Sequence, residues 1–274
     1  KRSRKALSRL ESRSEGWFER ILEAHEEHQR TLVLLRRQVR RLGISARFVQ
    51  DMQGADTARF DAVVTAGGDG TVLHASHHVD CTPMLGVRSS RHSAGFLTGA
   101  DPGDLPEKLE RLVEGTLESS PLQRMSVYIG RRLAHDKVLN EALFTHPNPA
   151  VTTRYVLKVD GRSEDQMSSG VWVGPAAGST AAMRAAGGRI LSPTSRNLQW
   201  VVREPFRRAG TRYRLVRGLI GPGHELVLAN KWQPARLFLD GPHLAIPVRP
   251  AQRVHMRLSD KPLTLLGWSR ARQR

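Results

Sequence analysis

A glycine-rich turn between an apolar run and a helix-compatible run constrains the fold of this chain more than any other feature. Residues 63–66 are apolar or β-branched, residues 67–70 read Gly-Gly-Asp-Gly, and Thr71 opens a segment of helix-tolerant residues. This order predicts a strand, a loop and a helix. Because glycine lets the backbone approach a ligand and the first amides of a helix attract anions, the loop is predicted to hold phosphate.

Asp69 is the unusual residue of this loop. A carboxylate inside a phosphate cradle repels phosphate unless it holds a metal ion or takes a proton from an attacking hydroxyl. The alternative interpretation is a tight turn in which Asp69 caps the helix, a position that aspartate often occupies. The loop is not a Walker A motif, because no Lys-Ser/Thr follows it, and Leu73 stands where a GxGxxG motif has its third glycine.

The length and the patterns of the chain predict two domains. A chain of 274 residues exceeds the usual size of a single core. Helical and strand patterns alternate up to residue 120, including a predicted strand at 44–49, which is typical of a parallel α/β sheet. Short alternating runs separated by turn residues then predict an antiparallel β domain. The predicted divisions are a basic arm (1–15), an α/β phosphate- or nucleotide-binding domain (16–120), a β-rich substrate-binding domain (121–258) and a C-terminal segment that packs back on the first domain (259–274).

Composition narrows the classes of protein and of partner. The single cysteine, Cys81, excludes an intramolecular disulfide and a cysteine-rich zinc site, and it fits a reducing, cytoplasmic compartment. No run approaches the roughly 18 apolar residues of a membrane span, so no membrane partner is expected. The net charge of +17 suits a nucleic-acid or membrane-surface binder, or an enzyme that collects polyanions. Only seven of the 43 basic residues are lysine, an arginine bias that looks like genome-wide composition and makes nucleic acid the less favoured partner.

Two further stretches contain candidate binding residues. Asn140 and Glu141 interrupt an apolar run, where an amide and a carboxylate are costly unless they are hydrogen-bonded. If this run is a strand, the two side chains point to opposite faces. Residues 168–182 predict a strand followed by a loop of small residues, in which Ser179 and Thr180 offer hydroxyls and amides to a flat group. The alternative for this loop is close packing between helix and sheet.

Histidine pairs and arginines are the remaining candidates for metal and phosphate binding. His25 and His28 lack the spacing of the HExxH zinc motif. His74 and His78 lie four residues apart on the predicted helix, but no third ligand is spaced nearby, so packing is the favoured interpretation. The arginines close to the loop are candidate phosphate clamps or solvated surface residues: Arg88, Arg91 and Arg124.

Taken together, these motifs resemble those of the NAD kinases, over roughly residues 16–268. The residues that carry the resemblance follow the family's order and spacing: Gly67-Gly68-Asp69-Gly70-Thr71, Leu139-Asn140-Glu141, Ala177-Gly178-Ser179-Thr180-Ala181, Gly187-Gly188, Asp240-Gly241 and Leu266-Gly267-Trp268. Residues 168–206 look most like the plant-type NADH kinases and the mitochondrial-type NAD kinases. Ser169 and Ala182 stand where most bacterial members have Asp and Tyr, and both match the plant pattern.

The resemblance implies an N-terminal Rossmann-like α/β domain, a C-terminal antiparallel β-sandwich-like domain, a nucleotide site between them, and a homodimer or homotetramer. The implied reaction is phosphorylation of the adenosine ribose 2′-hydroxyl of NAD⁺ or NADH by ATP, with Mg²⁺ bound to the nucleotide. Asp69 would be the base or orienter of that hydroxyl. The implied binding residues are Gly67, Gly68, Gly70 and Thr71 for phosphates, Asn140 and Glu141 for the adenosine end of the substrate, and Ser179, Thr180 and Ala181 for the adenine pocket.

Two rival functions stay open at this stage. Another kinase with a GGDG loop, of lipid or sugar type, would need an apolar or sugar-shaped pocket in place of the adenine-sized loop at residues 178–182. A basic nucleic-acid-binding protein with a degenerate kinase site would use the arginines at the two ends of the chain, which are Arg2, Arg4, Arg9, Arg270, Arg272 and Arg274.

Overall fold

The computed structural model describes residues 16–206 and 212–268, and these divide into two compact units. Unit 1 contains residues 16–78, 82–120 and 265–268, and unit 2 contains residues 79–81, 121–206 and 212–264. The predicted basic arm (1–15) and the arginines at positions 270, 272 and 274 lie outside the described residues. The predicted fold class, an α/β part followed by an antiparallel β-sandwich-like part, is confirmed.

Unit 1 is an α/β unit built on a four-stranded sheet. Its strands lie in the order β1-β2-β16-β3, and β2 pairs in parallel with both β1 and β16. Strand β2 is apolar and buried, as expected for an inner strand of a parallel sheet. The elements of this unit are α1 (Trp17–Arg41), β1 (Val63–Gly67), α2 (Asp69–Ser76), β2 (Met84–Arg88), α3 (Leu105–Val113), β3 (Ser119–Leu122) and β16 (Leu263–Leu266), with a short 3₁₀ helix at Thr57–Arg59.

Helix α1 covers unit 1 with one face only. It begins after Gly16, which has a φ of 69°, and its buried residues are Thr31, Leu35 and Gln38. The predicted strand at residues 44–49 is wrong, because that segment is irregular and exposes Phe48 and Val49 by about half (51% and 50%). No strand of the described sheets pairs with it, so its β-branched residues have no surface against which a strand would be stable.

Unit 2 consists of two six-stranded antiparallel sheets that share one apolar core. One sheet has the order β5-β4-β15-β12-β7-β8 and the other β11-β10-β9-β6-β13-β14. Phe144 and Trp200 from one sheet and Tyr155 from the other are buried in the common core. The strands are β4 (Met125–Ile129), β5 (Arg132–Val138), β6 (Ala142–Thr145), β7 (Thr153–Val159), β8 (Arg162–Ser168), β9 (Gly170–Gly174), β10 (Leu198–Arg203), β11 (Arg217–Ile220), β12 (Leu226–Asn230), β13 (Ala235–Leu239), β14 (Leu244–Val248) and β15 (Arg253–Leu258).

Two short helical segments follow β9 in unit 2. A 3₁₀ helix spans Ala176–Thr180 and the single-turn helix α4 spans Ala182–Ala185. None of the helices in the described parts of the chain has the length and hydropathy needed to cross a bilayer.

Candidate functional site

The glycine-rich loop forms the junction between β1 and α2 in unit 1. A Cβ atom on Gly67 would lie 2.0 Å from Thr71 Oγ1, so packing within the loop requires this glycine. A Cβ on Gly68 would lie 3.0 Å from Ser93 Oγ, a tight contact with a side chain outside the loop. A Cβ on Gly70 would meet no atom within 4 Å. Packing therefore does not explain Gly70, whose backbone faces open space.

Asp69 is the first residue of α2 and is held by a neighbouring loop. Its Oδ2 accepts a hydrogen bond from the Phe96 backbone N–H (3.0 Å), and its Oδ1 accepts one from the Leu97 backbone N–H (2.8 Å). The capping interpretation is wrong, because Gly68 occupies the N-cap position and no side chain caps the helix. Each carboxylate oxygen keeps a lone pair that can accept a further proton.

The start of α2 leaves backbone donors for a ligand. The Thr71 N–H bonds to the Gly68 carbonyl oxygen (3.0 Å), whereas the helix ladder has no acceptor for the amides of its first residues, Asp69 and Gly70. These amides lie at the positive end of the helix dipole, which favours anions. The hydroxyl of Thr71 packs against Gly67, so Thr71 shapes the loop with its side chain.

The structure decides between the alternatives for Arg91, which is a surface residue, and corrects the interpretation of Arg124. Arg91 is an exposed residue of unit 1 that pairs with Glu23 (3.0 Å) and Glu27 (3.3 Å) of α1. Arg124 is fully buried in unit 2 and donates to the carbonyl oxygens of Val79, Asp80 and Lys261 at 2.6–2.9 Å. Burial lowers the pKa of Arg124 from its usual value. Arg124 is therefore neither a phosphate clamp nor a solvated surface residue. Its hydrogen bonds connect the backbone at residues 79–80 with the backbone at Lys261.

Asn140 and Glu141 lie in a bend between β5 and β6, so the prediction that they alternate along a strand is wrong. The bend is organised by Asp240, which follows β13 with a φ of 49°. The Asp240 carboxylate accepts three backbone N–H bonds, from Leu139 (2.8 Å), Asn140 (2.7 Å) and Glu141 (3.0 Å). The sequence showed an Asp-Gly turn at this position, but the role of Asp240 requires the contact between distant segments.

The Glu141 side chain is a buried carboxyl group with unused hydrogen-bonding capacity. Its Oε2 is buried and has no hydrogen-bond partner among the described residues. Burial, and then the negative charge of Asp240, raises the pKa of Glu141 to about 7. Burial also raises the pKa of Asp240 to about 6, while the three amides that it accepts act in the opposite direction. A buried oxygen without a partner is rare in native proteins, and a ligand donor or a buried water can satisfy it.

The small-residue loop after β9 contacts the Asn140–Glu141 bend. A Cβ on Gly178 would lie 1.8 Å from the Asn140 carbonyl oxygen, and one on Gly174 would lie 2.2 Å from it, so the two backbones touch. Ser179 is buried, with its Oγ donating to the Ala176 carbonyl oxygen (2.6 Å) and accepting from the Leu191 N–H (3.0 Å). Its hydroxyl is thus used within the loop. Thr180 is half-buried and Ala181 is exposed.

The candidate residues therefore form one group in each unit. In unit 1 the group is Gly67, Gly68, Asp69, Gly70 and Thr71, and in unit 2 it is Asn140, Glu141, Ser179, Thr180 and Ala181. Sequence reasoning left two parts of the candidate site without a role. These are Asp240, whose carboxylate bonds to the bend, and the amides of Phe96 and Leu97, which bond to Asp69. Backbone amides carry no sequence signal, so only the fold could assign them.

Comparison with known proteins points to one family. Residues 12–117 match the family model described as the ATP-NAD kinase N-terminal domain. A probable NADH kinase of Oryza sativa subsp. japonica is 29% identical over 226 residues, which are 74% of this chain and 69% of that protein. An NADH kinase of Arabidopsis thaliana is 35% identical over 175 residues, which are 55% of each chain.

Solved structures show the same fold. The crystal structure of an NAD kinase from Archaeoglobus fulgidus in complex with ATP superposes with a TM-score of 0.73 at 23% identity and covers 89% of this chain and 91% of that one. Yeast NADH kinase complexed with NADH gives a TM-score of 0.65 at 18% identity, over 76% of this chain and 61% of the yeast chain.

Proposed function

We propose that this chain, which belongs to the NAD kinase family, transfers the γ-phosphoryl group of ATP to the adenosine ribose 2′-hydroxyl of NAD⁺ or NADH. The products are NADP⁺ or NADPH and ADP. The family model and the plant relatives support the reaction class. The observation that carries the proposal is the position of Asp69. Two backbone amides fix its carboxylate, and the next residue, Gly70, has open space beside its backbone where a ligand can approach.

Asp69 acts in this proposal as the base or orienter of the 2′-hydroxyl. The hydroxyl oxygen forms a bond to the γ-phosphorus, the bond from that phosphorus to the bridging oxygen of ADP breaks, and the hydroxyl proton goes to Asp69. Phosphoryl transfer depends mainly on positioning and on charge neutralisation, so a fixed carboxylate contributes by orientation as well as by basicity. A positioned base contributes about 10²- to 10⁴-fold in rate.

The glycine-rich loop binds the phosphates through its backbone. The amides of Asp69 and Gly70 are the donors that the helix leaves unpaired, and Gly67, Gly68 and Thr71 set the shape of the loop. Mg²⁺ arrives as part of the donor substrate, MgATP, and neutralises charge on the phosphates.

The residues of unit 2 bind the adenosine end of the substrate. The unpartnered Oε2 of Glu141 accepts a hydrogen bond from a ribose hydroxyl or an adenine amine, and the Asn140 amide supplies a neutral polar contact. Because the hydroxyl of Ser179 is used within the protein, the loop of Ser179, Thr180 and Ala181 contacts adenine through its backbone and the small Ala181 side chain.

We further propose that the enzyme is a cytoplasmic homodimer or homotetramer. A single, exposed Cys81 without a disulfide suits a reducing compartment. Size-exclusion chromatography with light scattering tests the assembly, and a monomeric mass at working concentration would contradict it.

The decisive experiment incubates the protein with MgATP and either NADH or NAD⁺, and couples the product to an enzyme specific for NADP(H). We expect product from at least one of the two substrates, and parallel assays with polyphosphate identify the donor. Absence of product from both substrates with both donors would overturn the proposal. Salt-sensitive binding to a DNA duplex together with that absence would favour the basic nucleic-acid-binding rival.

A further inference from the structure

A second cluster of polar side chains lies at the end of α2 opposite to Asp69. His74 and His78 are four residues apart, and their rings are in edge-to-face contact with centroids 5.4 Å apart. His74 Nε2 lies 3.6 Å from Asp51 Oδ1. One ligand atom from each of the three residues can be chosen so that all lie within 4.8 Å of one another. The third ligand, which the sequence spacing did not reveal, comes from a segment 23 positions before His74.

The two segments that carry these side chains are held together by bonds outside the cluster. The Thr57 hydroxyl donates to the His78 carbonyl oxygen (3.3 Å), and the Thr82 hydroxyl donates to the Thr57 carbonyl oxygen (2.8 Å). Within the Asp51 segment, the Gln53 N–H donates to Asp51 Oδ1 (3.0 Å) and orients that carboxylate. These bonds hold the two segments near each other, and the Gln53 N–H fixes the orientation of the Asp51 carboxylate.

The geometry and the donor types fit a divalent transition-metal ion. Ligands at about 2.0–2.2 Å from a tetrahedral zinc ion lie about 3.3 Å from one another, so the observed spacings need side-chain shifts of about 1 Å. Two imidazoles and one carboxylate suit zinc, cobalt or nickel, whereas magnesium and calcium prefer an all-oxygen shell. His74 and Asp51 are 60% and 64% exposed at the side chain, which leaves access for an ion and room for a water ligand.

We propose that Asp51, His74 and His78 bind one Zn²⁺ or similar transition-metal ion, with water in the fourth position. The ion joins the Asp51 segment to the end of α2, the helix that begins at Asp69. His74 lies roughly 8 Å along the helix axis from Asp69, so this site is separate from the phosphate-binding end. Binding to the folded state alone then stabilises the protein in proportion to the free metal concentration.

The test uses full-length protein without an affinity tag, treated with a chelator and dialysed. Zinc is titrated by calorimetry in excess Mg²⁺ and without nucleotide, and Co²⁺ is titrated by visible absorption, which reports the coordination number. We expect one Zn²⁺ site that Mg²⁺ does not occupy, a tetrahedral or five-coordinate Co²⁺ spectrum, and a rise in the thermal unfolding midpoint with Zn²⁺.

Four variants assign the ligands. His74→Ala, His78→Ala and Asp51→Asn should each weaken Zn²⁺ binding by at least about 10-fold, which is the loss seen even when outer partners of a metal are removed. His25→Ala is the matched control, since His25 is an exposed histidine of the same unit and should leave binding unchanged. Circular dichroism verifies that each variant is folded. The proposal is overturned if the wild-type protein binds no Zn²⁺, or if His74→Ala and His78→Ala bind as tightly as wild type. Neither result depends on kinase activity.

Discussion

Two carboxyl groups of the proposed site differ in how far the protein satisfies them. Asp69 accepts one backbone amide on each oxygen and is partly exposed. Glu141 is buried with one oxygen that has no partner among the described residues. The first arrangement fixes the Asp69 carboxylate in place, whereas burying the Glu141 oxygen without a partner costs free energy that a ligand donor can recover. The two residues should therefore respond differently to neutralisation.

Asp69→Asn should keep the fold and lose most of the turnover. Asparagine is isosteric but cannot take the hydroxyl proton, so we expect kcat to fall by about 10²- to 10⁴-fold. One of the two amide bonds is lost, which costs about 1 kcal/mol of stability. The coupled NADP(H) assay and thermal unfolding measure the two effects, and a kcat within about twofold of wild type would remove Asp69 from the mechanism.

Glu141→Gln should change the pH dependence of stability. The pKa of Glu141 is near 4.5 in the unfolded chain and about 7 in the folded one, so the folded state binds more protons between these values. Stability therefore falls as the pH rises through this window, and the loss is complete above it. The variant lacks this titration and should exceed wild type by about 3 kcal/mol at about pH 8, with no such gain at about pH 4.

Urea unfolding, followed by tryptophan fluorescence at several pH values, measures this difference. Asp240 is present in both proteins, so its own burial cancels in the comparison, and the measured difference reports Glu141 together with its interaction with Asp240. A free-energy difference that stays constant with pH would contradict the assignment. Glu141→Gln should also bind the dinucleotide more weakly, because an NH₂ group, which only donates, replaces one of the two acceptor oxygens.

At the scale of elements, the two glycine loops use glycine for different reasons. Gly178 is required by the backbone of Asn140, which a Cβ would approach to 1.8 Å. Gly70 has open space around it and lies within α2, where alanine is the better helix former by about 1 kcal/mol. The small-residue loop therefore packs closely, although against the bend at Asn140 and not between helix and sheet as its alternative interpretation held. Packing does not account for Gly70, which leaves a ligand contact as the explanation.

A matched pair of substitutions separates these reasons. Gly70→Ala should leave the thermal midpoint unchanged or raised. It should increase KM for ATP, because the new methyl group would stand at the proposed phosphate-binding position. Gly178→Ala should lower the midpoint, since the Asn140 backbone must move. Differential scanning calorimetry and steady-state kinetics provide both readouts. Unchanged KM in Gly70→Ala would show that the phosphates do not pass this residue.

Sequence patterns predicted the elements whose structure depends on residues that are close together in the chain. The β1–loop–α2 unit follows from glycines, β-branched residues and a helical run that lie within about ten positions. The predicted strand at residues 44–49 failed because strand formation needs a partner, and the bend at Asn140 and Glu141 was missed because Asp240, about one hundred positions away, organises it. The proximity of Asp51 to His74 and His78 could not be predicted for the same reason, because Asp51 lies in a separate segment of the chain.

At the scale of the whole molecule, unit 1 is assembled from distant parts of the chain. Strand β16 lies between β2 and β3 in the sheet, although most of unit 2 separates it from them in sequence. A Cβ on Gly99 would lie 2.0 Å from the Leu266 carbonyl oxygen, so the end of β16 packs directly against the backbone of Gly99. Trp268 Nε1 then donates to the Phe96 carbonyl oxygen (2.8 Å), next to the amide that holds Asp69.

Trp268→Phe should therefore affect both stability and catalysis. Loss of the indole N–H leaves the Phe96 carbonyl without this donor and reduces buried volume, which together cost about 1–3 kcal/mol. Since the Phe96 N–H supports Asp69, kcat should fall while KM changes little. Trp232→Phe is the control, because Trp232 is 65% exposed and lies in unit 2. Equal effects of the two substitutions in unfolding and kinetic assays would argue against a specific role for Trp268.

The place of β16 also sets the order of events during translation. About 140 residues separate the end of β3 from β16, and a ribosome that adds about 5–20 residues per second needs roughly 7–30 s to make them. Throughout that interval the nascent unit 1 lacks the strand that joins β2 to β3, and the facing edges of both strands expose unpaired backbone groups. Such edges are sites of unwanted pairing between chains, so unit 1 is most exposed to that pairing before β16 leaves the ribosome.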